Sequence, residues 1–140
     1  MAKLNVKVTR ISNHQDVLKD YLRETKILVG RAGNLVRNTA VQSITEGGKS
    51  GVTYELYNPR RTHTASAAGE PPASDTGYLV NNIYLDIDVD GLGASVESRA
   101  EYSSFLEFGT SKMAARPFMQ PALEENRPKI RRLEQQIRAK

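Results

Sequence analysis

Cysteine is absent from the 140 residues, which excludes a disulfide scaffold, a thiolate metal site and a cysteine nucleophile. Tryptophan is absent too, and His14 and His63 are the only histidines, so imidazole-rich metal sites and extended catalytic relays are poorly supplied. No apolar run approaches the roughly 18 residues of a membrane span, and Met1 to Arg10 has no signal-peptide apolar region. A soluble protein of a cytosol-like compartment, with no membrane partner, is expected. Large aliphatic and phenyl side chains are modest in supply: Leu, Ile, Val and Phe total 32, or 23% of the chain, just above the roughly 20% below which disorder is expected. One domain over residues 1–140 with a small core follows.

The net charge of +4 conceals a stronger pattern. From Met1 to Thr62 there are 11 basic and 5 acidic residues, from His63 to Ser111 there are 1 and 8, and from Lys112 to Lys140 there are 8 and 3. The chain is therefore basic, acidic, basic. An acidic middle third opposes a uniform cationic field for nucleic acid and suggests surfaces that complement one another.

Leu4, Val6 and Val8 alternate with polar residues as a half-buried strand does. Ser12 and Asn13 offer N-cap oxygens. Apolar residues then recur with helical spacing from Leu18 to Ile44, and Gly47 and Gly48 stop the run. A helix from His14 to Glu46 is about 50 Å long, against a diameter of about 37 Å for a compact domain of this size. It must bend or protrude, with Gly30 and Gly33 as bending or close-packing points. Val52, Tyr54 and Leu56 form a second alternating run. The stretch 58–77 has three prolines and no large aliphatic residue and reads as a long flexible loop. Ile83, Leu85, Ile87 and Val89 face one way in the clearest strand, Asp90 to Gly93 make a turn, and Ala94, Val96 and Ser98 face inward on the return. Tyr102, Phe105 and Leu106 mark a short helix ended by Gly109. A last helix spans about 121–138, with a kink or restart expected at Pro128. The fold class is α+β: a small, mostly antiparallel sheet of about four strands on one long N-terminal helix, with a short helix and a C-terminal helix.

Three motifs suggest chemistry. Asp86, Asp88, Asp90, Gly91 and Glu97 satisfy the calcium-loop spacing, but an EF-hand loop joins two helices, whereas these flanks alternate as strands and set the carboxylates about 7 Å apart along one face. A solvated or partner-facing acidic strip is expected, with no metal. Gly47-Gly48-Lys49-Ser50 resembles the end of a phosphate loop, but Ser43 stands where glycine is required and a helix precedes it. His63, Ser66 and Asp75 could compose a nucleophilic site only if their loop were rigid. Neither an enzyme nor a cofactor is expected.

Two stretches, HTASAAGEPPASDTGYL (63–79) and EYSSFLEFGTSKMAARPFMQPALEE (101–125), together resemble the neck or tail-completion family of long-tailed bacteriophages, whose members act as tail components or in head-tail joining. The resemblance extends loosely over most of the chain. It implies a structural virion protein at the head-tail junction, assembled in the host cytoplasm. It would form a homo-oligomeric ring, a hexamer or alternatively a dodecamer. Its partners would be the head-closure or connector protein on one side and the tail terminator or tail tube on the other, around a channel through which DNA passes without sequence-specific binding. Assembly contacts are expected at Glu107, Phe108, Gly109, Thr110, Lys112, Arg116, Pro117 and Phe118, although the same residues suit a capped turn between two helices. A partner-binding loop is expected at His63, Ser66, Gly69, Pro71, Pro72, Asp75 and Gly77, disordered in the isolated subunit and ordered on assembly. Asp86, Asp88 and Asp90 would meet basic side chains of a neighbour or line the channel. A DNA-binding structural protein, marked by steeply salt-dependent binding, and a calcium module, marked by calcium-dependent stability, are the alternatives.

Overall fold

The computed structural model describes residues 13–139; the strand expected at Leu4 to Val8, and Ser12, lie outside them. Helix α1 (His14–Glu46) has the bounds its apolar spacing predicts. Asn13 occupies the N-cap without a side-chain cap bond, and its carbonyl accepts from Val17 N at 3.0 Å. The helix ends where the chain folds back over its own last turn: a Cβ on Gly47 would stand 2.0 Å from the Ser43 carbonyl oxygen. Only the C-terminal half carries core residues, namely Gly33, Val36, Ala40 and Ile44, while Val17, Leu18, Tyr21 and Leu22 in the N-terminal half are exposed. The helix is thus too long for its core.

The strands make two separate antiparallel hairpins rather than one sheet. Strands β3 (Ile83–Ile87) and β4 (Ala94–Ser98) pair with Leu85 opposite Val96 and pack on α1. Ile83 is buried, and Arg37 Nε donates to its carbonyl at 3.0 Å. Gly33 is the close-packing point, since a Cβ there would approach Leu85 Cδ1 to 2.4 Å; Gly30 has open space around it and is no such point. The inward face is shorter than the alternation predicts: Ile87 is 52% exposed, and Val89, in the turn, is fully exposed. Ala94 is exposed as well.

Strands β1 (Thr53–Tyr57) and β2 (Arg60–Thr64) form the other hairpin, with Asn58-Pro59 joined by a cis peptide at its turn. The long loop expected over 58–77 is therefore partly a strand. Its RRTHT sequence hides this because most of the hairpin is exposed, so no apolar alternation marks it. Val52 and Tyr54, expected inward, are 63% and 53% exposed.

Helix α2 (Tyr78–Asn81) carries the buried Leu79, and α3 (Ser103–Phe108) leads into the connection to α4 (Met119–Arg138). Helix α4 lies antiparallel along α1: Asn126 meets Leu35 and Thr39, whereas Leu133 and Ile137 lie beside Leu28 and Ile27. Asn126 is fully buried, and its Nδ2 donates to Thr39 Oγ1 at 2.8 Å and to the Ala122 carbonyl at 2.7 Å. Contrary to the expected restart, α4 starts at Met119 and runs through Pro128 without interruption. Pro128 and Glu124 are both exposed, so water can reach the carbonyl that loses its N–H partner. The core is Val36, Ala40, Ile44, Leu79, Ile83, Ala100, Phe118 and Ala122.

The accessible surface of the chain is 10567 Å², against about 7,200 Å² for a compact monomer of this mass. Granting the thirteen residues outside the described set full solvation at about 160 Å² each, the others still expose roughly 1,700 Å² more than a compact domain of their size. The exposed N-terminal half of α1 and the mostly exposed β1–β2 hairpin contribute to it.

Candidate functional site

The second motif is first of all an internal clamp. Phe118, at the N-cap of α4, has no side chain able to cap, so the first amides of the helix need acceptors from elsewhere. Glu107 supplies them: Oε2 accepts from Phe118 N at 2.9 Å and Met119 N at 3.0 Å, and Oε1 from Gln120 N at 2.9 Å. The carboxylate sits at the positive end of the helix dipole, where its charge is favoured. Gly109 has φ 75°, and a Cβ there would stand 2.9 Å from Ala115 N and Met113 O, so glycine is required twice over. Thr110 Oγ1 accepts from Lys112 N at 3.2 Å and Met113 N at 3.1 Å, and Arg116 N donates to the Leu106 carbonyl at 2.6 Å. Phe118 is 1% exposed.

Of the assembly contacts expected in this motif, Phe118 is therefore corrected to core, because a buried ring cannot meet a neighbour. Glu107 and Gly109 are engaged in holding the subunit together, and Pro117 is half-buried. Phe108 (78% exposed), Thr110 and Lys112 remain on the surface, next to exposed Phe105.

The first motif is anchored at both ends. Gly51 N donates to the Ala65 carbonyl and Ala65 N to the Val52 carbonyl, at 2.9 and 3.0 Å. Glu70 accepts from Ser50 N at 3.1 Å and Ala67 N at 2.8 Å, and its other oxygen bonds the Ser50 hydroxyl. The Ser50 hydroxyl first, then the two amides, hold the Glu70 carboxyl below its ordinary range. Glu70 was missed as a determinant because Ser50, which bonds both of its oxygens, lies 20 residues back, beyond the reach of a local pattern. Gly69 (φ 81°) donates its N–H to the Ala115 carbonyl at 3.0 Å, tying the first motif to the second. Gly77 (φ 80°) precedes α2, and Pro72 is buried while Pro71 lies against the end of α1.

Between the motifs lies a pocket of about 250 Å³, with His63, Ser66, Asp75, Tyr78, Tyr102 and Arg116 on its walls. Asp75 takes Arg61 at 3.0 Å and lies 3.8 Å from His63 Nδ1. Ser66 is 2% exposed, and its Oγ has no hydrogen-bond partner; neither does the buried Arg116 Nε. The Tyr78 and Tyr102 rings, 6.1 Å apart, are half exposed. Desolvation, then the Tyr78 phenol, raises the Tyr102 pKa. His63, Ser66 and Asp75 do converge here, but the Ser66 hydroxyl is not bonded to His63, so the contact that activates a serine nucleophile is missing.

A larger apolar groove of about 620 Å³ runs between α1, β4, α3 and α4, past Val29, Val96, Phe108, Leu123 and Ile130.

The acidic strip is partly neutralised from within. Arg99, the one base of the acidic middle third, pairs with Asp86 at 2.9 Å and Glu97 at 2.5 Å and lies 4.3 Å over the Tyr84 ring. Glu97 and then Asp86 raise its pKa. Asp90 Oδ1 accepts from Leu92 N at 2.9 Å, and Asp88 lies against Gly93. Strands flank the calcium-like spacing on both sides, and among the described residues no three carboxylate or imidazole groups converge as metal ligands. No described helix is long and apolar enough to cross a membrane. In comparisons with known proteins, the chain matches no family model, no curated protein and no solved structure.

Proposed function

We propose that this chain is a structural subunit of a phage neck, assembling head to tail into a homo-oligomeric ring that completes the tail and joins it to the head. The observation that carries the reading is the surface surplus. A standard interface covers about 800 Å² of each partner, and a ring subunit makes two, so roughly 1,600 Å² per subunit leaves solvent. The surplus of roughly 1,700 Å² is of that size. It carries apolar groups suited to burial: Val17, Leu18, Tyr21 and Leu22 along α1, Tyr54 and Tyr57 on the β1–β2 hairpin, and Phe105 and Phe108 on α3. An isolated two-stranded hairpin is marginal in water, and this one gains a structural reason if a neighbour covers it. The motif resemblance supplies the biological setting, with head-closure and tail proteins above and below the ring. Native mass spectrometry and electron microscopy of the purified protein, alone and mixed with tails, test the reading. Closed rings or decorated tail ends support it; a monomer indifferent to tails and heads refutes it.

A further inference from the structure

We infer that the pocket between the two motifs receives an aspartate carboxylate from the β3–β4 turn of a neighbouring copy. The inference rests on the ring reading and names the contact that would close it. Ser66 and Arg116 line the pocket, and the buried Ser66 hydroxyl and Arg116 Nε have no hydrogen-bond partner among the described residues. Arg116 Nε is donor only, and Ser66 can donate, so the group they ask for is an acceptor, and a charged one by virtue of the guanidinium. The nearby carboxylates Asp75 and Glu70 are already engaged. Asp75 is held by Arg61 and faces His63, and Glu70, which acts on Arg116 only through space, has its oxygens on Ser50 and Ala67. About 250 Å³ holds one short side chain, and the half-exposed Tyr78 and Tyr102 rings offer an apolar rim for its stem.

Among the described residues several acidic side chains have an ion pair: Asp16, Asp20, Glu124 and Glu134 pair within their helices, Asp75 takes Arg61, and Asp86 and Glu97 share Arg99. Asp88 and Asp90, at the exposed tip of the β3–β4 turn, have no ion pair among the described residues, and Val89 between them is fully exposed. They cannot fill the pocket of their own chain. The turn lies against Lys26 of α1, whereas the pocket segment meets the other end of that helix at Gly47, about 30 Å along the helix axis. Two complementary features on separate ends of one subunit make a heterologous contact, which generates a ring when the rotation closes. Val89 would then lie against the tyrosine rim.

Two variants of the full chain test this: D88N/D90N, which spoils the turn, and R116Q, which spoils the pocket, each with its circular dichroism and melting temperature compared with the parent to establish folding. Removing one member of a buried charge pair weakens a contact about 30-fold or more, so each variant alone should sediment as a monomer at concentrations where the parent forms rings. Mixed, they retain one good turn and one good pocket and should stop at a heterodimer. R116K, which keeps the charge, should restore part of the assembly. Rings from either variant at parental concentrations would overturn the inference and leave the ring reading standing. A parent chain that never associates would overturn both. Propionate titrated into D88N/D90N probes the pocket directly, and saturable shifts of the Ser66 and Arg116 signals are expected. Absence of shifts, meaning water alone fills the pocket, would overturn the assignment. Propionate binding together with parental assembly of the turn variant would identify a free carboxylate as the ligand and overturn the neighbour as its source.

Discussion

Replacing Glu107 by alanine removes the acceptor of three backbone amides at the start of α4. A hydrogen bond to a charged group contributes about 1.5–3 kcal/mol, but three bonds to one carboxylate are not additive. Water also reaches the most exposed amide, that of Gln120. Loss of a helix cap costs about 0.5–2 kcal/mol and loss of a favourable dipole charge about 0.3–1 kcal/mol. Together these place the E107A cost at about 3 kcal/mol. Unfolding entropy near 2.1 cal/mol/K per residue gives about 0.3 kcal/mol/K for 140 residues, so the melting temperature should fall by about 10 °C. E107Q keeps one acceptor oxygen and should fall by about a third as much. Calorimetry and urea titration on both variants check this. An E107A midpoint within about 2 °C of the parent would refute the view that Glu107 caps α4, and would return it to the surface role its sequence neighbourhood suggests.

Phe118 and Phe108, ten residues apart, should separate stability from assembly. F118A empties a buried site and should cost about 3–5 kcal/mol in the monomer, while F108A should leave monomer unfolding within about 0.5 kcal/mol and weaken association measured by sedimentation. G30A, with free space around the new methyl group, should stabilise by about 0.5–1 kcal/mol through helix propensity, whereas G33A drives its methyl into Leu85 and should lose that gain to overpacking of about 1–3 kcal/mol. Denaturant midpoints compare the two. Because the folded-state pKa of Glu70 is depressed, its contribution to stability is complete above the unfolded value of about 4.3 and disappears as pH falls through the folded value. Urea midpoints from pH 6 to pH 2 should show an acid-limb slope in the parent that is shallower in E70Q.

Legibility of the fold followed burial. Helix α1 was readable to its ends because Val36, Ala40 and Ile44 keep helical spacing and Gly47 stops it; β3 and β4 were readable because Ile83, Leu85 and Val96 face the helix. Where the chain is solvent-exposed the pattern carries no such information. Strand β2, with Arg60, Arg61 and Thr62 exposed, looked like loop, and Val52 and Tyr54 alternated without a core to face. Pro128 does not restart the helix for a related reason: its lost hydrogen bond lies on the wet side of α4. At the candidate site, the sequence singled out both motifs, including Ser66, Asp75 and Arg116. Their meeting depends on the bond between Gly69 and Ala115, 46 positions apart, which no spacing announces. The capping role of Glu107 was equally invisible, since its partners follow it by 11 to 13 residues.

In the proposed ring, further copies of the subunit cover its surplus surface. The most direct measurement is the mass of the full-length protein by native mass spectrometry over a range of concentrations, with electron microscopy of the same samples and of samples mixed with tails. A closed oligomer, six-fold or twelve-fold, formed alone or on tail ends is the predicted result. A monomer at every concentration that leaves tails bare and heads unjoined would contradict it.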